Sequence, residues 1–142
     1  MILLDTDHVT NLKYSASERG ARLTQRLDAL PADEIVAVSV VSVEEQMRGW
    51  LAAIAKERYA KRQVTAYREL ANLFDFFAEF TIALFDEPAA DKFDELRTAK
   101  IRLGTMDLKI AVTALVNQAL LLSGNRRDFE RVPGLRVENW LE

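Results

Sequence analysis

Five short apolar runs, separated by longer stretches of helical periodicity, constrain the fold of this chain more than any other feature. The runs are rich in aliphatic and β-branched residues, as is typical of buried strands, and they cover residues 2–5, 34–41, 81–86, 120–123 and 135–140. Strands that alternate with helices favour a parallel sheet joined by right-handed crossovers. We therefore expect an α/β protein, a three-layer α/β/α sandwich around a mainly parallel sheet, formed by a single domain over residues 1–142.

Helical periodicity predicts five helices, over residues 17–30, 42–58, 60–80, 87–100 and 106–119. Ser42 stands three residues before Glu45, which is the spacing of a capping box, and this predicts that the second helix begins at Ser42. The third predicted helix has four phenylalanines near its end: Phe74, Phe76, Phe77 and Phe80. These rings, and Trp50 in the helix before, either complete the core or offer a surface to a partner.

The composition excludes several kinds of chemistry. The chain has no cysteine, so that disulfides, thiolate zinc sites and cysteine nucleophiles are excluded. A single histidine, His8, excludes a two-histidine acid–base pair and a zinc site with several histidines. The net charge of −3 argues mildly against a protein that binds nucleic acid through bulk positive charge. No apolar run approaches the length of a membrane span and no signal peptide is evident, so we expect a cytoplasmic protein without a membrane partner.

Acidic side chains recur where the predicted strands end or a helix begins. Asp5 and Asp7 follow the first strand, Glu45 follows the second, Asp107 opens the last long helix, and Asp128 follows the fourth strand. Each position also has a purely structural explanation. Aspartate stops strands and caps helices, the capping box accounts for Glu45, and an acid in a first helical turn gains from the helix dipole.

Considered together, these acids favour a metal site. The carboxyl ends of parallel strands meet at one edge of a sheet, where the acids would converge on a single cleft. Clustered carboxylates repel one another unless cations neutralise them, and folding alone would not select such a cluster. Oxygen ligands without cysteine point to Mg²⁺ or Mn²⁺, which are ions of phosphate chemistry.

Four segments of the chain resemble the sequence signatures of PIN-domain proteins, and more closely those of VapC-type toxins of bacterial toxin–antitoxin systems. They are LLDTDHV, SVVSVEEQMRG, GTMDLKIAVTAL and SGNRRDFERVPGLRVENW, which stand in the family's order and span essentially the whole chain. The resemblance implies an α/β/α sandwich and a Mg²⁺- or Mn²⁺-dependent endoribonuclease acting on RNA. It also implies a cognate VapB-like antitoxin that blocks the cleft, and a homodimer.

The resemblance also implies roles for individual residues. Glu45 rather than Glu44 matches the family's glutamate, because a glycine, Gly49, stands four residues after it. Many relatives carry aspartate where this chain has Asn125, so either Asn125 coordinates weakly or binds a water, or Asp128 substitutes for the missing acid. The implied metal ligands are Asp5, Glu45 and Asp107; the implied catalytic residues are these three and Asp128; and Thr6, Ser123 and Asn125 would support the bound metal.

The implied reaction is hydrolysis of an RNA phosphodiester, which leaves a 5′-phosphate and a 3′-hydroxyl. Basic residues near the expected cleft either guide the phosphate backbone or belong to the ordinary solvated surface; they are Arg48, Lys109, Arg126, Arg127 and Arg131.

Two other functions are compatible with parts of the sequence. Asp5 and Asp7 after an apolar strand suit a haloacid-dehalogenase-like phosphatase, in which Asp5 would be the nucleophile. Alternatively, the acids are only helix caps and the aromatic helices belong to a non-catalytic interaction module.

Overall fold

The strands form one sheet in which every pair of neighbours is parallel. The computed structural model describes residues 1–14 and 16–142, and five strands lie in this part of the chain. They are β1 (Ile2–Leu4), β2 (Val36–Ser39), β3 (Thr81–Ala83), β4 (Leu120–Leu122) and β5 (Arg136–Glu138), in the spatial order β3-β2-β1-β4-β5. The five predicted strands are confirmed, although each is shorter than predicted. Because β1 lies at the centre, the residues that follow it lie at the middle of the sheet's carboxyl edge.

Seven helices accompany this sheet within the described residues, and five of them were predicted. They are α1 (Thr6–Lys13), α2 (Glu18–Asp28), α3 (Val40–Lys56), α4 (Ala60–Phe77), α5 (Glu87–Thr98), α6 (Thr105–Val116) and α7 (Arg126–Phe129). The sequence pattern predicted no helix where α1 and α7 form. Helix α1 buries only His8 and Val9, and α7 has four residues, so neither has an apolar stripe long enough to show a helical period.

Helix α3 begins earlier than the capping-box spacing predicted. Ser39 is its N-cap and accepts a 3.1 Å hydrogen bond from the Val41 N–H, while Ser42 is buried inside the helix. The prediction of a capping box from Ser42 to Glu45 is therefore wrong. Val40 and Val41 also belong to the helix rather than to β2, because packing against the core outweighs the strand preference of valine.

Two apolar layers cover the two faces of the sheet. The alternation along β1 sends Leu3 to one face and Ile2 and Leu4 to the other, and all three are buried. Leu3 packs in a cluster with residues of α5, α6 and α7, whereas Ile2 and Leu4 pack with residues of α1, α2 and α4. This arrangement confirms the α/β/α sandwich. Among residues 1–14 and 16–142, none of the helices has the length and apolar character needed to span a bilayer.

The phenylalanines of α4 divide between core and surface. Phe77 is buried, and Phe76 and Phe80 pack against the same cluster, with ring centroids 5.3 Å from Phe76 to each of the other two. Phe74, in contrast, is 66% exposed. Phe76, Phe77 and Phe80 thus belong to the core, and a partner surface at Phe74 stays a prediction.

Candidate metal centre

Asp5 lies at the middle of the sheet edge, between β1 and α1. It caps α1, and its Oδ1 accepts a 2.7 Å hydrogen bond from the Thr6 N–H. Its Oδ2 accepts a 2.7 Å hydrogen bond from the hydroxyl of Ser123, which follows β4 directly. Because a carboxylate offers about four acceptor positions, these two bonds fix the group and still leave lone pairs for a further partner.

The protonation of Asp5 reflects its surroundings. Burial raises the pKa of Asp5 from 3.8 to about 6, and the hydrogen bond from Ser123 opposes this rise. The negative charges of Asp7 and Asp107 raise that pKa further. Asp5 is only 7% exposed, so a charged carboxylate here costs free energy unless a positive group lies beside it.

Glu45 projects from the second turn of α3 towards Asp5. Burial raises the pKa of Glu45, and the charges of Asp5 and Asp107 add to the rise, which the nearby Thr6 hydroxyl partly offsets. The Oε1 atom of Glu45 is buried and has no hydrogen-bond partner in the structure. The neighbouring Glu44 instead forms an ion pair with Arg48 at 2.6 Å on the outer face of the helix.

Asp107 stands in the first turn of α6, whose N-cap is Gly104. Burial raises the pKa of Asp107, and the charges of Asp128 and Asp7 raise it further. The following residues of α6 are buried against the sheet, which holds the start of this helix at the sheet's carboxyl edge. Thus Asp107 contributes to the same region of negative charge as Asp5 and Glu45.

The two candidates for the fourth acidic position contact each other. The Asn125 side-chain amide donates to Oδ2 of Asp128 at 3.1 Å, and Arg131 lies 3.5 Å from Oδ1 of Asp128. The backbone N–H of Asn125 donates to the Ser123 hydroxyl oxygen at 3.0 Å. Since both oxygens of Asp128 have partners within the chain, this carboxylate is less available to a metal ion than Glu45 is.

These residues fit a hard divalent cation. Among residues 1–14 and 16–142, no three His, Cys, Asp or Glu side chains are arranged tightly enough to hold an ion together. However, the charges of Asp5 and Asp107 raise the pKa of Glu45, and the charge of Asp107 raises the pKa of Asp5, so the three carboxylates lie near one another. The unpartnered, buried Oε1 of Glu45 and the all-oxygen donor set match Mg²⁺ or Mn²⁺. A sulfur- or nitrogen-seeking ion would find no matching ligands in this set.

Thr6 and Ser123, the predicted supporting hydroxyls, bind within the cluster. The Thr6 hydroxyl donates to the Ser42 hydroxyl oxygen at 3.2 Å, which joins the start of α1 to α3. Ser123 is fully buried and connects Asp5 to the loop after β4. Both hydroxyls therefore position the acids.

The sequence did not reveal what Asp7 and His8 do. Asp7 accepts hydrogen bonds at Oδ1 from the N–H and Nδ1 of His8, at 2.7 and 2.8 Å, and at Oδ2 from the Gly124 N–H at 2.6 Å. Burial pushes the pKa of Asp7 up, but the hydrogen bonds from His8 and Gly124 outweigh it and leave the pKa below its usual value. Gly124 lies 117 positions from Asp7, so no local pattern could reveal this contact.

Most of the basic residues expected near the cleft are engaged within the chain. Arg48 pairs with Glu44, and Arg131 contacts Asp128. Arg126 pairs with Glu130 at 3.2 Å, Lys109 lies 5.6 Å from the ring centre of Phe85, and Arg127 is exposed.

Comparisons with known proteins identify the fold and the family. The family model described as PIN domain matches residues 2–135. The chain is 31% identical over 85 residues to the tRNA(fMet)-specific endonuclease VapC of Salmonella typhimurium. This match covers 57% of this chain and 64% of that protein. It is 33% identical over 78 residues to Ribonuclease VapC2 of Haemophilus influenzae, and this match covers 52% of this chain and 59% of that protein. The matches thus span less than two thirds of these relatives.

A solved structure shows the same fold over nearly the whole chain. In the crystal structure of VapBC2 from Rickettsia felis bound to a DNA fragment from their promoter, the matching chain superposes with a TM-score of 0.74. The match covers 99% of both chains at 24% identity. On the family match over residues 2–135, this chain belongs to the PIN domain family, and its relatives within that family include VapC ribonucleases.

Proposed function

We propose that this protein is a Mg²⁺- or Mn²⁺-dependent endoribonuclease and the toxin of a VapBC-type toxin–antitoxin pair, with one PIN domain accounting for the chain. The observation that carries the proposal is the cluster of Asp5, Glu45 and Asp107. The charge of Asp107 raises the pKa of Asp5, the charges of both raise the pKa of Glu45, and one buried oxygen of Glu45 has no partner. Such a cluster destabilises the fold unless it serves to bind a cation.

The residues of the centre divide into those that would hold the ion and those that orient them. Asp5, Glu45 and Asp107 would hold it, and Asn125 or Asp128 would complete the acidic site. A bound Mg²⁺ or Mn²⁺ would supply a more acidic water and neutralise charge on the phosphoryl oxygens. The chain fixes Asp5 through Thr6 and Ser123 before substrate arrives, so the acid needs no reorganisation during the reaction.

A phosphatase with Asp5 as nucleophile fits the structure less well. Both oxygens of Asp5 accept hydrogen bonds, and the group is 7% exposed. The hydrogen bonds from the Ser123 hydroxyl and the Thr6 N–H lower the nucleophilicity of both oxygens, and burial limits the approach of a phosphoryl group. Covalent phosphate trapped on Asp5 would restore the phosphatase as a candidate.

RNA cleavage by purified protein tests the proposed function. Structured RNA is incubated with the protein in Mg²⁺, in Mn²⁺ and in EDTA, and the 5′ and 3′ ends of the products are mapped. We expect metal-dependent cleavage that leaves a 5′-phosphate and is lost in Asp5→Asn and Asp107→Asn. Glu44→Gln is the matched control, since Glu44 lies beside Glu45 in sequence but pairs with Arg48 outside the cluster. Cleavage that persists in EDTA, or in Asp5→Asn, would contradict the proposal.

The partners we propose are RNA, a VapB-like antitoxin and a second copy of the chain, in the cytoplasm. An apolar groove of about 250 Å³ between α3 and α4 supports a helical partner, because an amphipathic helix binds such a groove through its apolar face. It is lined by Val43, Met47, Leu73, Phe74, Phe77, Ala78 and Ile82. Co-purification with the product of the adjacent reading frame tests the antitoxin, and sedimentation of the isolated protein tests the homodimer.

A further inference from the structure

We propose that Asp7 is a positioning residue of the candidate metal centre: its carboxylate holds the loop after β4 against the start of α1, so that Ser123 meets Asp5. The inference rests on the proposed function, because it assigns Asp7 to the same centre. Asp7 differs from the proposed ligand Asp5 because its carboxylate accepts three hydrogen bonds from the chain rather than two, which leaves it less available to an ion.

Two consecutive residues of the loop after β4 contact the two aspartates at the start of the chain, and the third residue contacts the first. The Gly124 N–H donates to Oδ2 of Asp7 at 2.6 Å. Ser123, directly before it, donates to Oδ2 of Asp5 at 2.7 Å, and Asn125, directly after it, donates its N–H to the Ser123 hydroxyl oxygen at 3.0 Å. The contact of Asp7 with Gly124 therefore sets the position of the hydroxyl that orients Asp5.

The glycine at position 124 is explained by the Asp7 carboxylate. A Cβ at this position would lie 2.6 Å from Oδ2 of Asp7 and 3.7 Å from its Cγ, so a side chain there would displace the carboxylate. The backbone of Gly124 is outside the left-handed region, so its φ angle does not require glycine. Close approach of the Asp7 carboxylate is thus the reason for glycine at this position.

His8 fixes the other end of the carboxylate. Its ring is fully buried, and Nε2 accepts a 3.2 Å hydrogen bond from the backbone N–H of Trp140. Since a backbone N–H can only donate, Nε2 carries no proton, and Nδ1 therefore donates to Oδ1 of Asp7 at 2.8 Å. A ring held at both nitrogens prevents the carboxylate from turning away from Gly124.

Substitution of Asp7 should therefore affect the metal centre without removing any of its proposed ligands. In Asp7→Asn the side-chain oxygen can still accept a hydrogen bond from His8. The side-chain nitrogen would then face the Gly124 N–H, and because both groups are donors this contact becomes repulsive. Asp7→Ala removes both contacts. Loss of groups that orient metal ligands commonly weakens metal binding or activity by about 10- to 100-fold. We expect effects of that size in both variants.

Mn²⁺ binding and RNA cleavage kinetics are measured on wild type, Asp7→Asn, Asp7→Ala and the control Asp91→Asn, an exposed aspartate of α5. We expect Mn²⁺ to bind about 10- to 100-fold more weakly to both Asp7 variants, as measured by titration calorimetry. At saturating Mn²⁺ we expect a lower kcat and a nearly unchanged KM for RNA. A general loss of folded protein would also lower the apparent kcat, but it would reduce the number of Mn²⁺ sites without weakening the affinity of those that remain. The Mn²⁺ affinity therefore separates the two explanations. Asp7→Asn is nearly isosteric, and it provides the test if Asp7→Ala does not fold.

A double-mutant cycle with Gly124→Ala tests the contact itself. Alone, Gly124→Ala should weaken Mn²⁺ binding about as much as Asp7→Ala does, because the new methyl group displaces the carboxylate. In the Asp7→Ala background it should add little, since the clashing oxygen is gone. Additive effects, or Asp7 variants that bind Mn²⁺ like wild type, would overturn this inference alone. A wild-type protein that neither binds Mn²⁺ nor cleaves RNA would overturn the proposed function and this inference together.

Discussion

The hydroxyl of Ser123 donates a 2.7 Å hydrogen bond to Oδ2 of Asp5, although 118 positions separate the two residues in the sequence. The pairing of β1 with β4 brings them together, because Leu4 lies opposite Leu122 at the strand ends. Asp5 follows Leu4 directly, and Ser123 follows Leu122. Parallel strands in register therefore deliver an acid and a hydroxyl to the same point of the sheet edge. The strength of this contact can be measured directly.

Ser123→Ala should destabilise the metal-free protein. The substitution removes the donor to the buried Asp5 and the acceptor of the Asn125 N–H, and leaving a buried polar group unpartnered costs about 1–3 kcal/mol. Urea unfolding at pH 7.5 in EDTA measures the change. Thr24→Ala serves as control, because its hydroxyl donates to Gly20 within α2 and its loss should matter little. Equal stabilities of Ser123→Ala and wild type would show that the hydrogen bond contributes nothing.

The metal-free protein should become more stable as the pH falls from 7.5 to 5. The pKa of Asp5 is raised from 3.8 to about 6 in the folded state, so the folded protein takes up a proton before the unfolded chain does. Stability from this group is full below pH 3.8 and is lost as the pH rises through about 6. Between pH 7.5 and 5 the gain amounts to about 1 kcal/mol for Asp5 alone.

Glu45 and Asp107, whose pKa values are also raised, act in the same direction as Asp5. The pKa of Asp7 is lowered, so its contribution is lost only at more acidic pH, below the range of this experiment. Urea unfolding in EDTA at several pH values measures the profile. Asp5→Asn should flatten it, and an equally steep profile in that variant would assign the effect to other groups.

Glu45→Gln should stabilise the metal-free protein and abolish its response to Mn²⁺. Removing the negative charge of Glu45 relieves its repulsion from Asp5 and Asp107, which stabilises the folded protein. A residue that serves binding commonly lowers folding stability, so its replacement raises stability and removes function. Wild type at a Mn²⁺ concentration of about 100 times the Kd should gain roughly 2.7 kcal/mol, which the variant should lack. Thermal unfolding with EDTA and with Mn²⁺ measures both effects.

Glu44→Gln is the matched control for Glu45→Gln. Its ion pair with Arg48 is exposed and spans four residues of one helix, and such pairs contribute about 0.3–0.5 kcal/mol. The control should be slightly less stable than wild type in EDTA and should keep the full Mn²⁺ response. If Glu44→Gln lost that response and Glu45→Gln kept it, the assignment of these two glutamates would be reversed.

The sequence predicted the strands and long helices because each has a strong local pattern. It failed where a short element depends on distant residues. Helix α1 begins at Thr6 because Asp5 caps it and because His8 and Val9 are buried. Its sequence has no apolar stripe from which a helix could be predicted. The N-cap of α3 was misplaced by three residues, since Ser39 and Ser42 are equally good caps by type and only the end of β2 decides between them.

The candidate acids could be listed from the sequence, but their partners could not. Asp5, Glu45 and Asp107 follow strand ends or open a helix, which local patterns reveal. The sequence offered no means to see that Asp128 is engaged by Asn125 and Arg131, or that Asp7 contacts Gly124 across 117 positions. Those contacts depend on how the loop after β4 folds back on the first turn of α1.

Phe77→Ala and Phe74→Ala should differ widely in their effect on stability. Phe77 is 7% exposed and its ring packs on Phe76, so truncation should cost about 3–5 kcal/mol, as for other buried phenylalanines. Phe74, three residues earlier in the same helix, is 66% exposed and lines the apolar groove between α3 and α4. Its truncation should cost less than about 1 kcal/mol, the usual range for surface substitutions. Urea unfolding of both variants measures the contrast, which equal losses would contradict. A small cost for Phe74 would mean that folding does not require this ring, which leaves it free to contact the helical partner proposed for the groove.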